Sequence, residues 1–184
     1  MKLVRFVVLP SLCLASAVAL AAEKAPPAVY RLAESTLAPI GTDATIVDAV
    51  RKQNAKGLSL ADIKDMDKKW IATPGVAKFM KALMTSACGK RVTAIQKEHK
   101  FLSEIFVMDN QGANVCLTNK TSDYWQGDEA KFTEAYKGGA GAIYVSKVKF
   151  DESSQEYLVH VSVPVSDGEH VIGAITFGVN IDKL

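Results

Sequence analysis

The hydrophobic period of the chain changes near residue 104. Before it, apolar residues recur every three or four positions; after it, they alternate. Ile46, Val47 and Val50 share one face behind a cap at Gly41-Thr42-Asp43, which predicts a helix to Asn54 with Gly57 as its stop. Ser59 and Asp62 form a weak capping box for a helix to about Ile71, with Leu60, Ile63, Met66 and Trp70 as its core face. Pro74 is expected to open a longer helix, buried along Val76, Phe79, Met80, Leu83 and Met84. Gly89 interrupts it, and Val92, Ile95 and His99 continue the stripe. Upstream, Glu23–Ile40 holds Pro26, Pro27 and Pro39 and reads as a loose leader with one helical stretch around Val29–Ser35.

The second half reads as strands. Ile105–Met108 and Ala113–Thr118 flank a tight turn at Asp109–Gly112. A polar, aromatic segment, Asn119–Gly127, leads into a short helix at about Asp128–Tyr136 that Gly138-Gly139 ends. Ala142–Phe150, Glu156–Val165 and Glu169–Ile181 then read as a three-stranded meander, turning at Asp151–Gln155 and Ser166-Asp167-Gly168. Helices followed by strands make the fold class α+β.

The last hairpin separates into two faces. With a three-residue loop, Val165 lies opposite Glu169. One face then carries Tyr157, Val159, Val161, Val163 and Val165 with Val171, Ile175, Phe177 and Val179, and should meet helices. The other carries Leu158, His160 and Ser162 with Ile172, Ala174, Thr176, Gly178 and Asn180, small and polar enough for a ligand floor. A two-residue Asp-Gly turn would slip the register by one and mix the sets.

Composition matters mainly through its distribution. The chain has 184 residues, is 48% hydrophobic and carries a formal charge of +2. Lys2 and Arg5 account for that excess: 22 basic residues less these two leave 20 against 20 acids. A neutral remainder speaks against nucleic acid as a partner. Phe6–Ala22 is an uncharged run of seventeen residues, and Ala19-Leu20-Ala21 suits cleavage before Ala22. The expected organisation is a signal peptide at 1–21, a leader at 22–41 and a single domain at 42–184, with a periplasmic location. The alternative is an uncleaved membrane anchor, for which the run is short. Export leaves Cys88 and Cys116 as a candidate disulfide that would contribute about 3–4 kcal/mol, or as two separate buried thiols.

Little points to catalysis. There is no Gly-x-Ser-x-Gly elbow, phosphate-cradling glycine loop, nucleophile–base pair or metal-ligand set, so no enzyme, metal or cofactor is expected. His160 and His170 sit too far apart along the sheet to share an ion, at roughly 14–17 Å. Asp123, Asp128 and Glu129 read as caps of the following helix. Tyr124-Trp125 either closes a pocket or plugs the sheet.

The segments IFVMDNQGANVCLTNKTSDYWQGDEAKF, AIYVSKVKFDES and VHVSVPVSDGEHVIGAITFGVNID resemble, in that order, a single Cache domain, the extracytoplasmic PAS-like sensor family. The resemblance covers about residues 75–184. It implies a five-stranded antiparallel sheet with N-terminal helices on one face and a small-molecule pocket on the other. Asn119–Tyr136 would be the roof. The implied ligand-facing residues are Tyr124, Trp125 and Gln126 above, and Tyr144, Ser146, His160, Thr176 and Asn180 below. Amino-acid-binding members carry an Arg two residues before a roof Trp and an Asp near the end of the last strand. Here those positions hold Asp123 and Asn180, so that mode is not expected. The chain stops at Leu184 with no second apolar run, so it is expected to signal to a separate membrane protein such as a histidine kinase, chemoreceptor or cyclase. The competing expectation is a periplasmic interaction protein whose pocket its own aromatics fill.

Overall fold

The computed structural model describes residues 23–151 and 155–184. The expected signal peptide, and most of the turn expected at Asp151–Gln155, lie outside the described residues. No helix among the described residues is long and apolar enough to cross a membrane.

The leader is not loose. Helix α1 (Pro27–Leu32) runs on through a wide turn at Ala33–Leu37 and a tight one at Ala38–Thr42. Val29, Ala33 and Leu37 stack at four-residue intervals and are fully buried. The expected helical stretch was shorter because three prolines mask this apolar stripe. Helix α2 (Ala44–Asn54) starts where the Asp43 carboxylate accepts hydrogen bonds from the Thr45 and Ile46 amides, at 3.0 and 3.3 Å. Helix α3 (Leu60–Ala72) is capped by Ser59. Its inner face is Ile63 and Trp70, whereas Leu60, expected in the core, is 43% exposed.

The long helix expected from Pro74 is two helices. They are α4 (Lys78–Thr85) and α5 (Ala87–Glu98), and Val76 lies outside them, 54% exposed. The break falls at Ser86, whose hydroxyl donates to the Leu83 carbonyl and accepts from the Gly89 amide. Gly89 therefore sits inside α5, where its lack of a side chain lets α4 approach. A Cβ there would lie 2.2 Å from the Met84 carbonyl oxygen.

The strands are β1 (Leu102–Met108), β2 (Asn114–Leu117), β3 (Tyr144–Val145), β4 (Lys149–Asp151), β5 (Glu156–Asp167) and β6 (His170–Asn180), with α6 (Ala130–Tyr136) between β2 and β3. They form one antiparallel sheet ordered β2-β1-β6-β5-β3, with β4 also paired to β5. The fold is α+β, and the sheet has six strands because the expected third strand is split. Ser146 causes the split: its hydroxyl takes the His160 amide proton at 2.9 Å, in place of a ladder carbonyl.

The last hairpin turns differently from either sequence option. Asp167 pairs with His170 across Gly168-Glu169, and a bulge follows between Val165 and Ser166. Beyond the bulge, Val163 meets Ile175, Val161 meets Phe177 and Ser162 meets Thr176. The bulge thus restores the parity that a two-residue turn removes, and the two faces separate as expected from Leu158 to Val165. It also exchanges two residues near the turn. Ile172 packs on the helix-side core, while Val171 approaches Gly141 on the opposite side.

Two apolar clusters result. On one face Val159, Val161, Val163, Ile175, Phe177 and Val179 meet Val29, Ile46, Val50, Val92 and Ile95. A Cys88–Cys116 disulfide joins α5 to β2 inside this cluster, with Cα atoms 5.8 Å apart. On the other face Phe106, Met108 and Ala174 meet Ile63, Trp70, Met80, Tyr124 and Phe132. The N-terminal helices therefore divide between the clusters: α1, α2 and α5 serve the first, and α3 and α4 the second.

Candidate functional site

The second face is filled near β2 and beneath α6, and opens around Glu104 and His160. The opening is a cleft of about 490 Å³. Glu104 and Phe106 of β1 and His160 of β5 form its floor. Lys120, Thr121 and Ser122 come from the segment after β2, Lys131 from α6 and Asp151 from β4.

Gly178 makes the floor possible. It lies on β6, paired with Glu104 on one side and His160 on the other. Strands β1 and β5 are two spacings apart, about 9–10 Å, and a side chain at 178 would stand between them. With none there, Glu104 reaches across and its Oε1 lies 2.9 Å from His160 Nε2. A Cβ at 178 would lie 2.6 Å from Glu104 Cγ. Both members of the pair are about a quarter exposed, so they are accessible from the cleft.

Two lysines oppose this pair. Lys131 Nζ stands 5.2 Å from the Phe106 ring centroid and 3.0 Å from Glu129 Oε2. Lys120 Nζ donates to the Thr73 carbonyl at 2.8 Å. The cleft therefore presents both signs of charge over an aromatic floor, which suits a small polar or charged molecule. Among the described residues no group of three or more His, Cys, Asp or Glu could hold a metal ion.

The residues expected to face a ligand divide. His160 is in the cleft, and Tyr144 and Ser146 line a smaller pocket beside it. Tyr124 is not: it is buried against Trp70, with ring centroids 5.7 Å apart. Burial, and then the charge of Asp109, push its phenol up to about 12. Trp125 lies on the outer side of the roof, donating from Nε1 to the Gln111 carbonyl, with Lys64 over its ring at 4.6 Å. Gln126 is fully buried and donates to the Asp123 carbonyl. Thr176 is fully buried and bonded to Ser162 at 2.8 Å. Asn180 caps the final turn, accepting from the Asp182 amide.

Helix α3 explains this placement of the roof. Asp67 Oδ1 accepts from the Tyr124 and Trp125 amides at 2.7 and 3.0 Å, and Trp70 Nε1 donates to the Thr121 carbonyl at 2.8 Å. The aromatics are thereby drawn towards α3, leaving Lys120–Ser122 at the cleft. Glu104 was legible in principle, since extending β1 by one pair sets it on the His160 face. Nothing in the sequence pattern singles out Lys131.

No family model matches the chain, and no curated protein matches it. Solved structures do. The chain is similar to the sensor domain of the V. cholerae histidine kinase DctB at 13% identity, covering 85% of this chain and 51% of that one, with a TM-score of 0.47. It is similar to the sensory domain of the Campylobacter jejuni chemoreceptor Tlp3 at 15% identity, covering 73% and 56%, with a TM-score of 0.43. The ligand-binding domain of Tlp3 in complex with L-norvaline matches at 16% identity, covering 85% and 63%, with a TM-score of 0.42. The chain spans about half the length of the first of these. All three are sensor or ligand-binding domains.

Proposed function

We propose that the protein is an exported sensor module that holds a small charged molecule in the cleft between β1, β5, α6 and the Lys120–Ser122 segment. We further propose that it reports occupancy to a membrane-bound kinase, chemoreceptor or cyclase, the partner classes implied by the sequence resemblance. The observation that carries the reading is the Glu104–His160 pair laid across Gly178 on the floor of the cleft. A carboxylate and an imidazole held half-buried within reach of solvent offer hydrogen-bonding groups to a polar ligand, while a partly exposed pair of this kind adds little to stability. Signalling requires that the ligand favour one arrangement of the roof over another. Lys120 and Thr121 are tied to the α3 end by hydrogen bonds, which supports a route from the cleft to α3.

A second reading has its own support. Tyr124 beside β2 and Phe132 of α6 fill part of the same face, as in an interaction protein whose pocket is closed by its own side chains. A thermal-shift screen of a broad metabolite panel separates the two. The sensor reading expects at least one stabilising compound whose effect is lost in Glu104→Gln; a panel with no response favours the filled pocket.

A further inference from the structure

Beside the main cleft lies a smaller pocket of about 130 Å³, which shares Lys131 and His160 with it. Tyr144, Ser146, Lys149 and Glu129 also line it. The slip between β3 and β4 builds this pocket. In β3, Tyr144 pairs with Ser162 and Val145 with Val161; in β4, Lys149 pairs with Leu158 and Phe150 with Tyr157. Had the β3 register continued, Lys149 would stand opposite Tyr157 and share its outer face. The one-residue slip instead turns Lys149 to the face of Leu158 and His160. Bulges of this kind re-aim side chains beside functional sites. Ser146 holds the slip in place, accepting from the His160 amide and donating to the Lys147 carbonyl.

The charges are segregated between the two cavities. Glu104 and Asp151 border the main cleft but not the small pocket. The carboxylate in the small pocket is Glu129, already paired with Lys131. That pairing occupies one of three ammonium donors, and the Lys131 side chain is only 15% exposed. Lys131, Lys149 and Tyr144 line the pocket from α6, β4 and β3. Among the described residues no arginine borders either cavity. Lysines act as point charges, so they can approach a tetrahedral oxyanion from several sides without the paired geometry of an arginine fork, which grips carboxylate and phosphate alike.

We infer that the small pocket is a subsite for a tetrahedral oxyanion, a phosphoryl or sulfonyl head group, on a ligand whose body lies in the main cleft. The inference rests on the ligand-binding reading above and names the class of ligand. Inorganic phosphate, sulfate and acetate are the probes, titrated into the purified protein at constant ionic strength. Thermal midpoints and, for phosphate, phosphorus NMR line widths are the readouts. Phosphate and sulfate are expected to stabilise the protein and acetate is not. Lys149→Ala, at an exposed strand position, is expected to weaken phosphate about tenfold, the loss of one charge-assisted contact. Lys131→Gln is expected to do the same, with circular dichroism confirming that each variant is folded. Equal responses to acetate and phosphate overturn the inference, as does an unchanged phosphate affinity in folded Lys149→Ala. A neutral or cationic compound that binds, loses affinity in Glu104→Gln and is indifferent to Lys149→Ala would overturn the subsite while leaving the cleft reading intact.

Discussion

The two faces of the sheet are built from the same strands and differ in what closes them. On one side, Val159, Val161, Val163, Ile175 and Val179 of β5 and β6 are fully buried against α1, α2 and α5, and a disulfide staples the layer. On the other side, aromatics and α6 close much of the face, while the Glu104–His160 contact, two lysines and a gap at Gly178 line an accessible cleft. One face is specified by volume alone. The other combines apolar filling with polar and charged side chains that line an open cleft. Stability should therefore be concentrated on the first face and function on the open half of the second.

The sharpest way to break this contrast is to remove volume from the closed face. Phe177→Ala is expected to cost about 3–5 kcal/mol, read by chemical denaturation, because its ring is fully buried opposite Val161. A loss below about 1 kcal/mol would mean that the layer is loosely packed. Gly178→Ala probes the open face. It forces Glu104 aside and is expected to cost about 1–3 kcal/mol in the same assay, while also disrupting the pair with His160. If its stability and ligand response both match the parent, Gly178 does not shape the floor.

Asp109 gives a smaller, pH-dependent effect. Burial raises its pKa above the usual carboxylate range, against hydrogen bonds from the Ala113 and Gln111 amides. The folded state thus holds this proton more tightly than the unfolded state. Its contribution is greatest in acid and is lost as pH rises through the raised folded value. Asp109→Asn keeps an oxygen for both amides and removes the penalty. Its stability relative to the parent should rise from acid to neutral pH. Glu156, held low by Lys183 and Ser103, has the opposite slope, but both proteins share it and the comparison cancels it. A flat difference across that range would contradict the assignment.

The sheet was legible because alternation is a direct signature of one buried face, and Val159 to Val165 carries it without interruption. The helix boundaries were less so. Ser86 ends α4 through its own hydroxyl, a local competition that apolar spacing does not record. The hairpin teaches the same point, since the turn type differed and a bulge restored the faces. The roof was misplaced for a longer-range reason. Tyr124 and Trp125 answer to Asp67, 57 and 58 residues away in sequence, and no local pattern encodes that hold. Cleft residues such as Lys120, Lys131 and Asp151 come from three separate elements, so only the fold brings them together.

The central claim is that the open half of the second face is where a ligand sits. Backbone amide NMR of the labelled protein, titrated with a stabilising compound from the screen, tests it most directly. Shifts concentrated at Glu104–Phe106, Lys120–Ser122, Lys131 and His160 are the predicted result. Shifts confined to the outer side of the roof around Lys64 and Trp125, with the Glu104–His160 floor unmoved, would contradict it.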